Sequence, residues 1–358
     1  MAKLAGWLSR YRFTLGFLAL FFLWVWLRPE PAAQVYQLTG ATMGTSYQVM
    51  VAGFPDGLSD AELAQGIEQR LYRLDRELMS TYAPDSELSR FNRSEPGDWF
   101  DVSPELAFVV SRAIDFSQMT DGYFDVTVGP LVDRWGFGPD QDGAMQWSRV
   151  PDQSEIESLQ AQTGYQHLQA SLQPPRLLKT APVRVDLSGI AKGYAADVIA
   201  AYFADVGQVD YFIEIGGELR IQGQKPDGSP WVPAIEKPTD GAPEVWAIID
   251  TQGESIALAG SGDYRNYFVE DGLRYSHEID PFTGRPITHN LAAAYVIADD
   301  ALTADALATA FMVMGQVRSL ALAEQLGLAA YFIVKSADED GFEQVHSSQF
   351  AQYLEETP

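Results

Sequence analysis

The chain predicts an α+β fold of the mixed α/β kind, built as one two-lobed catalytic unit behind an N-terminal hydrophobic helix. Three observations carry this. Strand-like and helix-like stretches are interleaved without a regular βαβ period. No long linker and no internal repeat divides residues 34–358, although 358 residues would allow about two domains of ~150. Hydrophobic content of 46% with 20% charged residues is that of an ordinary folded protein with a sizeable core.

The elements follow in order. Residues 13–27 carry no charge and are rich in Leu, Phe and Trp, with Lys3, Arg10 and Arg12 ahead of them. That is the pattern of an export signal. The run falls short of the ~20 residues of a full span. The readings are an uncleaved signal anchor, a cleaved signal (PAA at 31–33 is a poor cleavage site) or a buried helix. We take 1–33 as signal anchor and short linker, which places the remainder outside the cytoplasm, facing the periplasm or cell exterior. MGTSYQVMVAG (43–53) reads as a strand. Ser59 or Asp60 caps a helix with Leu63, Ile67, Leu71, Leu74 and Leu78 on one stripe. STYAPDSELSRFN (80–92) reads as a loop. Ser103-Pro104 is an N-cap and first-turn pair opening a helix that ends near Asp121-Gly122.

Residues 138–151 read as an exposed loop, and Ile156 and Leu159 as a short helix ending before Gly164. VRVDLSG (183–189) is expected as a strand, followed by a helix carrying Ile190, Tyr194, Val198 and Tyr202. YFIEIGGELRIQG (211–223) is expected as a hairpin about Gly216-Gly217. Strands are expected at 245–250, 255–260, 292–298 and 329–335, and helices at 304–314 and 317–326.

Composition excludes several functions. A net charge of −25 argues against nonspecific nucleic-acid binding, and requires a metal or local N–H groups if an anionic nucleotide is to bind. The absence of cysteine excludes disulfides, a thiolate nucleophile, a thiolate metal site and an N-terminal lipidated cysteine. With four histidines, a bound metal is expected on oxygen ligands, which favours Mg²⁺ or Ca²⁺.

Two stretches carry most of the chemistry. In LTADALATAFMVMG (302–315), Asp305 and Thr309 stand four residues apart on a helix, so their oxygens point the same way. They suit a hard cation; equally, Thr303 can be an N-cap and Asp305 a first-turn acid favoured by the helix dipole. In YSHEIDPFTGRPI (275–287), His277 is a candidate proton acceptor near neutral pH, or a solvated loop histidine. DLSGIAKGYAADVIA (186–200) places Gly189, Lys192 and Gly193 at a turn and helix start, where an anion can bind or an ordinary connection can run. SGDYRNYF (261–268) offers Tyr264 and Arg265 to a phosphate or ring. TDGYFDVTVGPLVDRWGFG (120–138) can form a slot for a flat ring or a core corner.

Taken together, MGTSY, STYAPDSELSRFN, FDVTVGPLV, VDLSGIAKGYAAD, EIGGELR, SGDYRNYF, SHEIDPFTGRP and TADALATA run in order over residues 38–335 and resemble the ApbE family, the FAD:protein FMN transferases. The resemblance implies transfer of FMN from FAD to a Thr or Ser hydroxyl of a target protein, with release of AMP. The target would be a subunit of a membrane redox complex. It implies FAD contacts at Met43, Tyr82, Tyr123, Phe124, Asp125, Asp186, Lys192 and Ile279. It implies a Mg²⁺ site from Asp305 and Thr309 with a main-chain carbonyl near Gly189, and His277 as the base. Position 278 is Glu, where many members of the family carry an apolar residue. Two alternatives use the same ligand: an FAD pyrophosphatase with water as nucleophile, and a non-catalytic extracytoplasmic flavin-binding protein.

Overall fold

The computed structural model describes residues 17, 21–22, 34–55, 57–138, 150–239, 241–336 and 341–354. Most of the expected N-terminal helix and of the 138–151 loop lies outside the described residues. Among those described, no helix is long and apolar enough to cross a membrane.

The architecture is α+β. Its centre is one eight-stranded sheet: β1 (Val35–Thr42), β2 (Thr45–Ala52), β3 (Tyr211–Ile215), β4 (Glu218–Gln222), β5 (Ile256–Gly262), β6 (Leu291–Ala298), β7 (Ala329–Lys335) and β8 (Phe342–His346). The strands lie side by side in sequence order, and every neighbouring pair is antiparallel. The helices are excursions from this meander: α1 (Asp60–Tyr72), α2 (Glu87–Arg93), α3 (Pro104–Met119), α4 (Gly129–Arg134), α5 (Gln153–Gln160), α6 (Ala191–Val206), α7 (Ala301–Met314) and α8 (Gln316–Leu326).

Both faces of the sheet are covered, which explains the near-continuous apolar runs in its central strands. Along β7, Ala330, Phe332 and Val334 face one core, whereas Ala329, Tyr331 and Ile333 face the other. The first and larger core also takes the apolar faces of α1, α3, α6 and α7. The second lies under Trp231, Ile235, Ile249 and Phe350.

The expected stripe on α1 is buried at Leu63, Ile67 and Leu71, and continues through π-helical turns over Arg73–Met79 that bury Leu74 and Leu78. Ser59 and Glu62 complete a capping box. Two local expectations are corrected. Residues 80–92 are not all loop: the Ser86 hydroxyl accepts from Ser89 N, and α2 starts there. Residues 183–189 do not form a strand, although the stretch is apolar enough. Its backbone bonds to a side chain instead: Asn92 Nδ2 donates to Val185 O and Val185 N to Asn92 Oδ1, both at 2.8 Å. Asp186 N then donates to Val126 O at 2.7 Å, so no sheet partner is needed.

Two tight hairpin turns end at the same edge of the fold. Met43-Gly44 joins β1 to β2 and Gly216-Gly217 joins β3 to β4, all four at positive φ. Such turns match the twist of the strands they join. Gly216 is required for space as well. A Cβ there would stand 2.7 Å from Thr45 Cγ2 and 3.0 Å from Lys192 Cδ.

Candidate active site

A cavity of about 670 Å³ opens where these turns meet α6, α7 and the chain after β5. That volume is in the upper part of the range for ligand sites, enough for a multi-ring ligand. Tyr123, Phe124 and Ile279 give it an apolar wall. Its charged lining, among the described residues, is strongly acidic: Asp125, Asp186, Glu214, Glu218, Glu236 and Glu278 against Lys192, Arg265 and the imidazole of His277.

Lys192 sits in the first turn of α6, and its ammonium is claimed by two carboxylates. Nζ lies 2.5 Å from Glu218 Oε1 and 3.7 Å from Asp305 Oδ1. The attraction of Asp305 and Glu218 outweighs the burial that would lower its pKa, and holds the lysine charged. Glu218 was not singled out from the sequence. It stands one residue past the Gly216-Gly217 turn, and a lone acid behind a glycine pair carries no signal until the fold brings α6 across it.

Asp305 is not a first-turn acid. The Asp300 side chain caps α7 by accepting from Thr303 N at 2.6 Å, so Thr303 is inside the helix and Asp305 is in its second turn, 2% exposed. Asp197 of α6 adds hydrogen bonds from Ala301 N and Leu302 N at 2.9 and 2.8 Å. Its burial pushes the Asp197 carboxyl up to about 6, against these bonds. Asp305 Oδ2 accepts from Gly193 N at 2.9 Å, which ties the two helix starts together.

The helices meet this closely because position 193 has no side chain. A Cβ there would stand 2.1 Å from Ala301 O and 2.8 Å from Asp305 Cβ. Gly193→Ala should therefore push α6 from α7 and destabilise the fold by about 1–3 kcal/mol, the usual scale of overpacking. A thermal melt unchanged from the wild type would refute this.

One turn on, the Thr309 hydroxyl stands 3.3 Å from Ser261 Oγ at the end of β5. Gly189 packs against it; a Cβ there would be 3.2 Å from Thr309 Oγ1. Thr309, Ser261 and the Gly189 backbone lie together, with Asp305 one helical turn before Thr309; oxygens of this kind suit a hard divalent cation. Among the described residues no three acids or histidines converge as a metal cage. An ion here would thus keep positions open for water or substrate oxygens. Glu218 keeps Lys192 paired whichever partner Asp305 takes.

Across the cavity, the loop of His277 is held by the adjoining hairpin of Tyr267–Glu270 and Leu273–Ser276. His277 Nδ1 lies 3.1 Å from Asn266 O. A carbonyl only accepts, so Nδ1 carries a proton and Nε2 is the atom left for chemistry. Nε2 lies 3.5 Å from Glu278 Oε1. Glu278 is 8% exposed, and burial raises its pKa.

Of the residues implicated by sequence, Tyr123, Phe124, Asp125, Asp186, Gly189, Lys192, His277, Ile279 and Thr309 line this one cavity. Asp305 lies directly behind Lys192. Met43 and Tyr82 do not line it. Met43 forms the β1–β2 turn and packs on the main core. Tyr82 is exposed, with Asp186 and Asp133 close enough to reinforce the rise that desolvation gives its phenol pKa. Asp125 spends its oxygens inside the protein, accepting from Thr127 N and Oγ1 and from Tyr165 N. Glu236 joins from the end of a short strand, and Ser261 and Asn266 from the SGDYRNYF stretch, of which only Tyr264 and Arg265 were expected to act.

The fold is that of a class of solved flavin transferases. The flavin transferase ApbE of Vibrio cholerae superposes with a TM-score of 0.81 at 42% identity, covering 90% of this chain and 100% of that one. The apo flavinyl transferase ApbE of Pseudomonas stutzeri gives 0.80 at 40%, covering 90% and 97%. The ApbE family model matches residues 43–332. The FAD:protein FMN transferase of Vibrio cholerae is 44% identical over 326 residues, 91% of this chain and 94% of that protein. That of Escherichia coli K12 is 41% identical over 343 residues, 94% and 95%. The chain belongs to the ApbE family.

Proposed function

We infer that this chain transfers FMN from FAD to a Thr or Ser hydroxyl of a target protein and releases AMP. The observation that carries the reading is the convergence, on one cavity, of a charged lysine backed by Asp305, the Thr309 hydroxyl of α7 and a histidine whose Nε2 faces Glu278. Relatives named for this activity match nearly end to end.

In the transfer, the phosphoric anhydride bond of FAD breaks between its two phosphorus atoms. The acceptor oxygen bonds to the phosphorus of the FMN half, and AMP leaves with the bridging oxygen. The apolar wall of Tyr123, Phe124 and Ile279 receives the isoalloxazine ring. His277 Nε2 accepts the proton of the attacking hydroxyl, and the Asn266 carbonyl keeps the ring in the required tautomer. Asp305 and Thr309, with the Gly189 carbonyl, are the residues that would hold Mg²⁺. Bound there, the ion supplies charge stabilisation to the phosphoryl oxygens. It also offsets an acidic lining that would otherwise repel the pyrophosphate.

The test is incubation with FAD, Mg²⁺ and a candidate acceptor domain. In-gel flavin fluorescence should coincide with an FMN-sized gain in acceptor mass. Release of free FMN with no gain in mass would make the chain an FAD pyrophosphatase.

We further propose that residues 1–33 tether the domain to the inner membrane with the cavity on the outer side. The acceptor is then a membrane redox-complex subunit whose hydroxyl faces that side. A tether raises effective concentration without new contacts. Deleting 1–33 should leave activity on a soluble acceptor unchanged. The same deletion, exported, should flavinylate a membrane acceptor less efficiently in cells. Protease added to spheroplasts should digest the full-length domain; a protected domain would overturn the assignment.

A further inference from the structure

Arg265 and Glu236 face each other across the mouth of the cavity and form an ion pair. Arg265 comes from the bend after β5, and Glu236 from the short strand Ala234–Glu236 of a separate two-stranded hairpin. Their environments differ. The Arg265 side chain is 65% exposed, whereas Glu236 is 24% exposed. The other lining ammonium, Lys192, is locked between Glu218 and Asp305. Among the described lining residues, one cation is thus committed to internal acids and the other, Arg265, is paired with Glu236 and lies over the Tyr264 ring. A long, exposed guanidinium reorients readily, and its fork matches two phosphate oxygens.

We propose that Glu236 and Arg265 form a phosphate-gated latch: Arg265 leaves Glu236 to bind a phosphate of the flavin nucleotide, so that Glu236 sets the selectivity for phosphorylated over unphosphorylated flavin. The inference rests on the flavin reading of the cavity. Any ligand that recruits Arg265 must compete with Glu236, and its apparent affinity falls by the fraction of time the arginine is free. A flavin without phosphate has nothing to recruit it with and does not feel the latch. FMN and FAD do.

The experiment is calorimetric titration of the full-length chain in detergent with riboflavin, FMN and FAD, in Mg²⁺ and without acceptor, with the FAD checked as intact afterwards. Wild type should bind the phosphorylated flavins more tightly than riboflavin. Arg265→Ala should weaken FMN and FAD by about tenfold to hundredfold, the value of a charge-assisted hydrogen bond, and leave riboflavin unchanged. Glu236→Gln should tighten FMN and FAD by about two- to fivefold, the value of a partly exposed ion pair, again without effect on riboflavin. The opposite signs of the two variants separate a latch from a fold defect, which would weaken all three ligands. Arg265→Lys provides a second variant, expected to retain part of the FMN affinity. The proposal fails if Arg265→Ala leaves FAD binding intact, if riboflavin weakens in parallel, or if Glu236→Gln weakens FAD. Failure of wild type to bind any flavin would instead overturn the flavin reading, and the latch with it.

Discussion

Asp305→Asn is expected to reduce FMN transfer by roughly 10³-fold or more, the rate equivalent of several kcal/mol of lost charge stabilisation. Asparagine is a better test than alanine. Asp305 is 2% exposed, accepts from Gly193 N and faces Lys192. Alanine would leave that N–H without a partner and combine a folding defect with a catalytic one. Asparagine keeps an acceptor at the same place and removes the charge. The variant should melt close to the wild type, fail to gain activity with added Mg²⁺, and bind FAD no better with Mg²⁺ than with EDTA. Wild-type protein treated with EDTA should lose transfer and regain it on addition of Mg²⁺. Full activity in EDTA would remove the metal from the proposal altogether.

His277→Ala is expected to lower the transfer rate by about 10²–10⁴-fold, the scale of a positioned acid–base group. FAD affinity should change little, because Tyr123, Phe124 and Lys192 lie on other elements. Folding should also survive: the His277 side chain is 32% exposed, and its one resolved hydrogen bond goes to the Asn266 carbonyl. The alternative base is close at hand. Glu278 stands 3.5 Å from the imidazole, on the cavity wall, with its pKa raised by burial. Near-normal turnover of His277→Ala between about pH 5 and 9 would move the proton-accepting role to Glu278 or Asp280. His277→Ala and Glu278→Gln each measured across that range would show which.

Much of this protein is legible in its sequence because the signals are local. The leucine stripe of α1, the Ser103-Pro104 start of α3 and the Gly216-Gly217 turn follow from periodicity, capping and φ requirements spanning only a few residues. The i,i+4 spacing of Asp305 and Thr309 likewise fixes their common direction before any tertiary contact is known. The lack of cysteine removes thiolate ligation from the chain's metal chemistry.

Tertiary structure decided the rest, where the energy lies between distant residues. Residues 183–189 form no strand because Asn92 satisfies Val185 in both directions. Asp305 is a buried acid and not a helix-dipole acid because Asp300 and Asp197 already occupy the start of α7, and Gly193 lets α6 close over it. Glu218, Ser261 and Asn266 lie inside the motifs quoted above, yet nothing local to them or to Glu236 says that they share a site. They matter only because an antiparallel meander sets its hairpin turns and its helix starts around one opening. A sequence lays down periodicity, caps and turns because these are interactions between near neighbours. Which charges must share one cavity is a question of long-range packing, and only the assembled sheet answers it.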